Sequence, residues 1–206
     1  MPETPVARSP IRPSPPLGVR EGWEVSLLRA HGGLRLADRT PLTKVLVRAR
    51  VGGRVATRLG VRFGHAMADG DGTLVVGSGP GEWLLLAPPP NSSDAVTSRL
   101  DTSDDDLVTV VDVTHARALM RLTGDDSHQV LAKLCAIDFD RGAADGTALR
   151  TSVAEVATDV VRDDVRSTGE RSYLLHCERS SGQYLFDALL DAGREFGVQV
   201  DGGPLD

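Results

Sequence analysis

Trp83-Leu84-Leu85-Leu86, with Ser92-Ser93 behind it, has a counterpart later in the chain in Tyr173-Leu174-Leu175-His176, with Ser180-Ser181 behind. Each run of large side chains reads as a buried strand, and the serines after it favour turns and helix N-caps. An amphipathic segment then follows in both places. In the first half it is Asp94–Leu100; in the second it carries Leu185, Phe186, Leu189, Leu190 and Phe196. Each half therefore closes with a strand, a serine turn and a helix. This predicts an α+β fold of two similar subdomains packed as one unit, about 19–106 and 107–200.

Working outward, Val45, Val47, Ala49 and Val51 alternate with Lys44, Leu46, Arg48 and Arg50, the period of a strand with one wet face. Val55 and Leu59 sit one helical turn apart ahead of Gly60, which marks Arg54–Leu59 as a short helix. Phe63–Met67 and Thr73–Val76 flank an aspartate–glycine turn. Leu107–Val113, Ala118–Leu122, Ser152–Val161 and Arg171–Cys177 read as further strands. Asp125 or Asp126 is placed to cap a helix whose Val130, Leu131 and Leu134 share a face. Residues 1–16 hold six of the twelve prolines. Proline lacks the ladder donor and fixes φ, so residues 1–18 read as an extended arm, either disordered or laid over a neighbour.

The net charge of -6 over 206 residues hides a split. Residues 1–68 carry twelve basic and four acidic side chains, and the remainder reverses that balance. Arg48, Arg50, Arg54, Arg58 and Arg62 recur every two or four residues, which would line one wet face of the strand and helix. Nucleic-acid binding calls for interleaved aromatics, and this region offers only Trp23 and Phe63 at its ends. A docking face for an acidic protein partner fits better, the alternative being that it neutralises the chain's own acidic half. Asp101–Asp106 reads as an exposed acidic loop.

Catalytic signals are sparse. Gly77-Ser78-Gly79-Pro80-Gly81 leads into a strand, whereas phosphate loops open helices, so it reads as a tight turn. Asp69-Gly70-Asp71-Gly72 lacks the further carboxylates of a calcium loop. No two of His31, His65, His115, His128 and His176 have helical ligand spacing, and Cys135 and Cys177 sit in apolar settings as buried free thiols. His115 reads as a structural hydrogen-bonding group at a strand end. Trp83 to Pro90, the longest apolar run, is too short for a membrane span. No apolar signal core opens the chain. A soluble cytoplasmic protein is expected.

Several segments together resemble the gamma subunit of heterotetrameric sarcosine oxidase. They are Ala7-Arg8-Ser9-Pro10-Ile11, Gly79-Pro80-Gly81-Glu82-Trp83-Leu84-Leu85, and above all Asp112-Val113-Thr114-His115-Ala116-Arg117 with Leu122-Thr123-Gly124-Asp125-Asp126 after it. Val130 to Asp138 and Arg150-Thr151 to Val161 continue the pattern. That family is similar in fold to the folate-binding domain of the glycine-cleavage aminomethyltransferase. The resemblance implies a non-catalytic role supporting assembly with alpha, beta and delta subunits, with no nucleic acid or membrane partner. It implies a complex that oxidatively demethylates sarcosine to glycine, giving hydrogen peroxide and 5,10-methylenetetrahydrofolate. FAD, FMN, NAD, tetrahydrofolate and zinc would then reside in other subunits and no cofactor in this chain. Where the aminomethyltransferase carries an aspartate pair, this chain reads Ala157-Thr158-Asp159-Val160-Val161, which leaves Asp159 as the folate candidate. A free-standing folate-binding protein is the alternative.

Overall fold

In the computed structural model, which describes residues 5–100, 102 and 107–204, apolar alternation in two sets of strands builds two sheets laid face to face. The first sheet contains β5 (Thr43–Arg48), β6 (Ala66–Ala68), β7 (Leu74–Gly79), β8 (Glu82–Ala87) and β9 (Thr109–Asp112). Its order is β6-β7-β8-β5-β9. The second contains β4 (Arg35–Asp38), β10 (Arg117–Thr123), β11 (Ala148–Val153), β12 (Val156–Arg162), β13 (Ser172–Glu178) and β14 (Gln199–Val200). Its order is β11-β12-β13-β10-β4-β14. The helices α1 (Arg54–Leu59) and α2 (Ser93–Ser98) cover the outer face of the first sheet, where Val55 and Val96 pack on Val45, Val47, Trp83 and Leu85. On the second sheet, α3 (Ser127–Leu134) and α4 (Gly182–Gly193) bury Val130, Leu131, Leu185 and Leu189 against Met120, Leu122 and Leu175. Leu74, Leu84, Leu86, Leu119, Val161 and Leu174 fill the space between the sheets. The layers thus run helix, sheet, sheet, helix, each strand burying alternate side chains on opposite faces. Among the described residues, no helix is long and apolar enough to cross a membrane.

The two sheets are related by an internal two-fold that extends well beyond the pair of closing strands. β6, β7, β8 and β5 stand in the same order as β11, β12, β13 and β10. The strands do not segregate by halves, however. β4 from the first half pairs with β10, and β9 from the second half pairs with β5. The crossovers repeat atom for atom: Thr40 N donates to Asp38 Oδ1 and Thr114 N to Asp112 Oδ1, both at 2.8 Å. Arg39 N donates to the Leu119 carbonyl at 2.8 Å, as Val113 N does to the Lys44 carbonyl at 2.9 Å. Thr40 Oγ1 accepts from Leu119 N and Thr114 Oγ1 from Lys44 N. Lys44 and Leu119 are therefore counterparts beside the dyad.

Several expectations change. Lys44 is 0% exposed and does not lie on a wet face, because that face of β5 meets the second sheet. The proline-rich arm adds a parallel pair, β1 (Ala7–Arg8) on β3 (Trp23–Ser26), while β2 (Leu17–Arg20) pairs antiparallel to β3. Ile11, 1% exposed, enters the core beside α4, and Arg12 N donates to Gln183 Oε1. Proline excludes a ladder only where it stands; Ala7-Arg8 lies between prolines. The single strand expected over Ser152–Val161 is a hairpin of β11 and β12, turned at Ala154 and Glu155, both with positive φ. Those two residues carry none of the usual glycine or asparagine turn signal. Asp126 occupies the N-cap of α3, but its carboxylate accepts from the Gln129 side chain and not from a backbone amide. Of the expected acidic loop, residues 101 and 103–106 lie outside the described residues.

Candidate functional site

Between the sheets the two-fold is broken chemically. Across the first sheet, Ala68, Leu74, Leu86 and Lys44 form one cross-strand row. The equivalent row across the second sheet is Arg150, Asp159, His176 and Leu119. Arg150 grips Asp159 with two hydrogen bonds, Nε to Oδ1 at 2.7 Å and Nη2 to Oδ2 at 3.2 Å. His176 Nδ1 lies 3.4 Å from Asp159 Oδ2. Arg150 also approaches Glu82 of the first sheet at 3.7 Å, and Glu82 pairs with Arg48 at 2.8 Å. A chain of charges thus bolts the sheets together along one margin.

The electrostatics follow from burial. Desolvation pushes Asp159 up, but hydrogen bonds from His176 and Arg150 outweigh it and hold its carboxyl below the ordinary value. Burial pulls the His176 imidazole down, with Asp159 opposing, and the net direction is downward. The carboxylate accepts a hydrogen bond from Nδ1–H of the neutral ring, which leaves Nε2 buried without a partner among the described residues. Lys44 is pulled to about 7, first by burial, against the opposing fields of Asp38 and Asp112. Its Nζ donates to the carbonyls of Thr40 at 2.6 Å and Leu42 at 2.9 Å.

At the opposite margin the space between the sheets opens into a cleft of about 560 Å³. Leu42, Leu74, Leu86 and Leu174 form its apolar floor, and Arg35 and Arg121 stand on its wall. Both guanidiniums are neutralised, Arg35 by Glu170 at 2.6 Å and Arg121 by Asp163 at 2.5 Å. The volume suits a small organic molecule. Nothing in the local sequence marks this cleft, because its lining comes from seven separated segments.

The five expected docking arginines do not share a face. Arg48 projects to the inner side of β5 with Lys44, where it meets Glu82, although it remains 64% exposed. Arg54 and Arg58 project from α1 on the outer side, and Arg50 and Arg62 stand exposed in the connections flanking that helix. A strand period and a helix period had merged in the sequence. Exposed Val51, Phe63 and Met67 lie in the same segment as the outer four. His115 is in the turn between β9 and β10, where its ring stacks on Trp23 at 4.7 Å and its carbonyl accepts a hydrogen bond from Arg179 Nη1 at 3.3 Å. Asp69 Oδ1 accepts from Asp71 N and Thr73 N, closing its own turn. Gly77, Ser78 and Gly79 close β7 and Pro80-Gly81 turns the chain into β8, and a Cβ on Gly77 would meet the Arg62 carbonyl oxygen at 2.3 Å. Cys177 is buried and Cys135 half-buried, both as free thiols.

Known proteins share this fold. The chain is 27% identical over 143 residues to sarcosine oxidase subunit gamma of Corynebacterium sp. (strain P-1), covering 69% of this chain and 67% of that one. It is 30% identical over 128 residues to an aminomethyltransferase of Geobacillus thermodenitrificans (strain NG80-2), but spans only 34% of that protein's length. Among solved structures, a chain of the heterotetrameric sarcosine oxidase of Corynebacterium sp. U-96, in complex with pyrrole 2-carboxylate, superposes with a TM-score of 0.66. The identity is 27%, over 83% of this chain and 90% of that one. The glycine cleavage system aminomethyltransferase T of Bartonella henselae gives a TM-score of 0.69 at 16% identity, over 90% of this chain and 55% of that one, a likeness of fold. The family model described as GCVT N-terminal domain matches residues 71–203. With well over half its length matched and the paired-sheet architecture in place, the chain belongs to the GCVT N-terminal domain family.

Proposed function

We propose that this chain is the gamma subunit of a heterotetrameric sarcosine oxidase, working in the cytoplasm with alpha, beta and delta subunits as part of an oxidoreductase complex. The observation that carries the reading is coverage. The chain spans 90% of its match in the solved sarcosine oxidase but 34% of the curated aminomethyltransferase. In such a complex, sarcosine is oxidatively demethylated to glycine, with hydrogen peroxide and 5,10-methylenetetrahydrofolate as the other products. FAD, FMN, NAD, tetrahydrofolate and zinc belong to the other subunits, and this chain contributes assembly and no catalytic group. The engagement of Asp159 supports that division, since both its oxygens already accept from Arg150 or His176. The same engagement weighs against the free-standing folate-binding alternative.

Arg50, Arg54, Arg58 and Arg62, with Phe63 and Met67 among them, would seat the chain against an acidic surface of a larger subunit. Apolar anchors inside a charged rim suit such an interface. Co-expression with alpha, beta and delta subunits tests the reading. The chain should co-purify at one copy per complex, and Arg50→Glu with Arg54→Glu should weaken its retention about tenfold or more. A chain that stays free in the presence of the three subunits, or that oxidises sarcosine alone, would overturn it.

A further inference from the structure

The internal two-fold leaves one strand edge covered and its counterpart bare. β4 and β9 are equivalent: each crosses from its own half to border the other's sheet. The outer edge of β4 is occupied by β14, which runs parallel to it in the register Gln199↔Arg35 and Val200↔Leu36. Gln199 N donates to the Leu34 carbonyl at 3.0 Å and Asp201 N to the Leu36 carbonyl at 2.9 Å. On β9 the matching groups belong to Val108 and Val110. Val110 faces Val47 and, like Asp112, alternates with the residues that bond β5, so its N–H and C=O point away from the sheet. Among the described residues no strand lies on that edge. The strand is exposed there, with Val111 at 43%. Unpaired edges of this kind are templates for an added strand.

We propose that β9 receives a short parallel strand from a partner subunit, in the register that β14 takes on β4. This rests on the gamma-subunit reading for the identity of the partner. Among the described residues the extended segments are committed elsewhere, β1 and β2 to β3 and β14 to β4, which favours another molecule as the source of the strand. The two-fold also specifies its chemistry. A side chain beside Val110 would join the side on which Val108 and Val110 pack against the core beneath α1 and α2, which calls for an apolar residue. The residue before it would lie beside Thr109, on the side of the half-solvated Arg48, and calls for a polar or acidic one. The sequence Gln199-Val200 has that polar–apolar order.

Hydrogen exchange on the chain alone and on the complex co-expressed with alpha, beta and delta subunits tests this. The Val110 amide should exchange about tenfold more slowly in the complex, the effect of one added hydrogen bond. Val110→Pro removes an outward donor at a place where edge strands accept proline, and exchanges one partly buried apolar side chain for another. It should lower the melting temperature of the free chain by only a few degrees and weaken retention in the complex about tenfold. If the complex forms and the Val110 amide exchanges as in the free chain, the added strand is refuted while the gamma reading stands. If no complex forms, the gamma reading fails and this inference with it. Protection that grows with the concentration of the chain alone would name a second copy as the occupant and refute a partner subunit.

Discussion

Replacing Lys44 by methionine should produce a stability difference that changes sign with pH. The lysine is fully buried and its folded-state value lies near 7, against 10.5 when exposed. Between those values the unfolded chain binds a proton that the folded chain does not, so folding grows more favourable as pH rises from 7 to 10.5. Below 7 the cost of burying the ammonium is fully present, and the interval corresponds to about 5 kcal/mol. Against it stand the two hydrogen bonds from Nζ to the Thr40 and Leu42 carbonyls, worth roughly 1–1.5 kcal/mol each. At pH 7, Lys44→Met should therefore be the more stable protein by about 2–3 kcal/mol. Near pH 9 the two should be equal, and by pH 10 the native lysine should lead by about 1–2 kcal/mol. Urea unfolding of both proteins at four pH values supplies the comparison, and other titrating groups cancel because both proteins carry them. A difference that stays constant from pH 7 to 10 would refute the argument that an ammonium is being forced into the core.

Three further outcomes follow from particular contacts. Ile11→Ala should cost about 2–4 kcal/mol in urea unfolding, although it lies in a segment whose prolines suggest a loose tail, because the side chain is enclosed beside α4. Asp159→Asn should cost about 1.5–3 kcal/mol at pH 7 by weakening its charged bonds to Arg150 and His176. The depressed folded-state value of Asp159 makes that advantage present above the unfolded value near 3.8 and lost as pH falls through the folded one, so acid titration of both proteins should bring their stabilities together. Gly77→Ala should lower stability by about 2 kcal/mol or more, read as a fall in melting temperature, because the new methyl would meet backbone at Arg62 and not a flexible side chain.

The closing elements of each half were legible in the sequence because a dense apolar run followed by serine has few structural solutions. β8 with α2 and β13 with α4 lie where that pattern placed them. The strands before them were harder. Arg35–Asp38 and Trp23–Ser26 are short and mixed in polarity, and the first is stabilised by partners far along the chain, so no local period announces them. Lys44 misled for a physical reason: alternation reports which residues share a face, and charge was taken to mean water. Here the connection between β4 and β5 supplies carbonyl acceptors, those of Thr40 and Leu42, in place of water. The Arg48–Arg62 series misled differently, because a period of two on β5 runs into a period of four on α1 and the two project to opposite sides of one sheet. Asp159 was recognisable as a singular carboxylate, but its two partners come from neighbouring strands nine and seventeen positions away and no spacing rule joins them.

The exchange of β4 and β9 has a consequence for how the chain acquires its shape during synthesis. Residues up to 100 contain four strands of the first sheet but must wait for Thr109–Asp112 to complete its border. Arg35–Asp38 waits longer, since β10 lies some eighty residues downstream and β14 seals the opposite side only when residue 200 has emerged. Neither half can finish as an autonomous folding unit. Pairings of such wide sequence separation also make for slow folding. A ribosome-bound first half would present its unfinished borders to the surroundings until the second half arrives, so the same exchange that welds the finished protein leaves the nascent one exposed to misassembly.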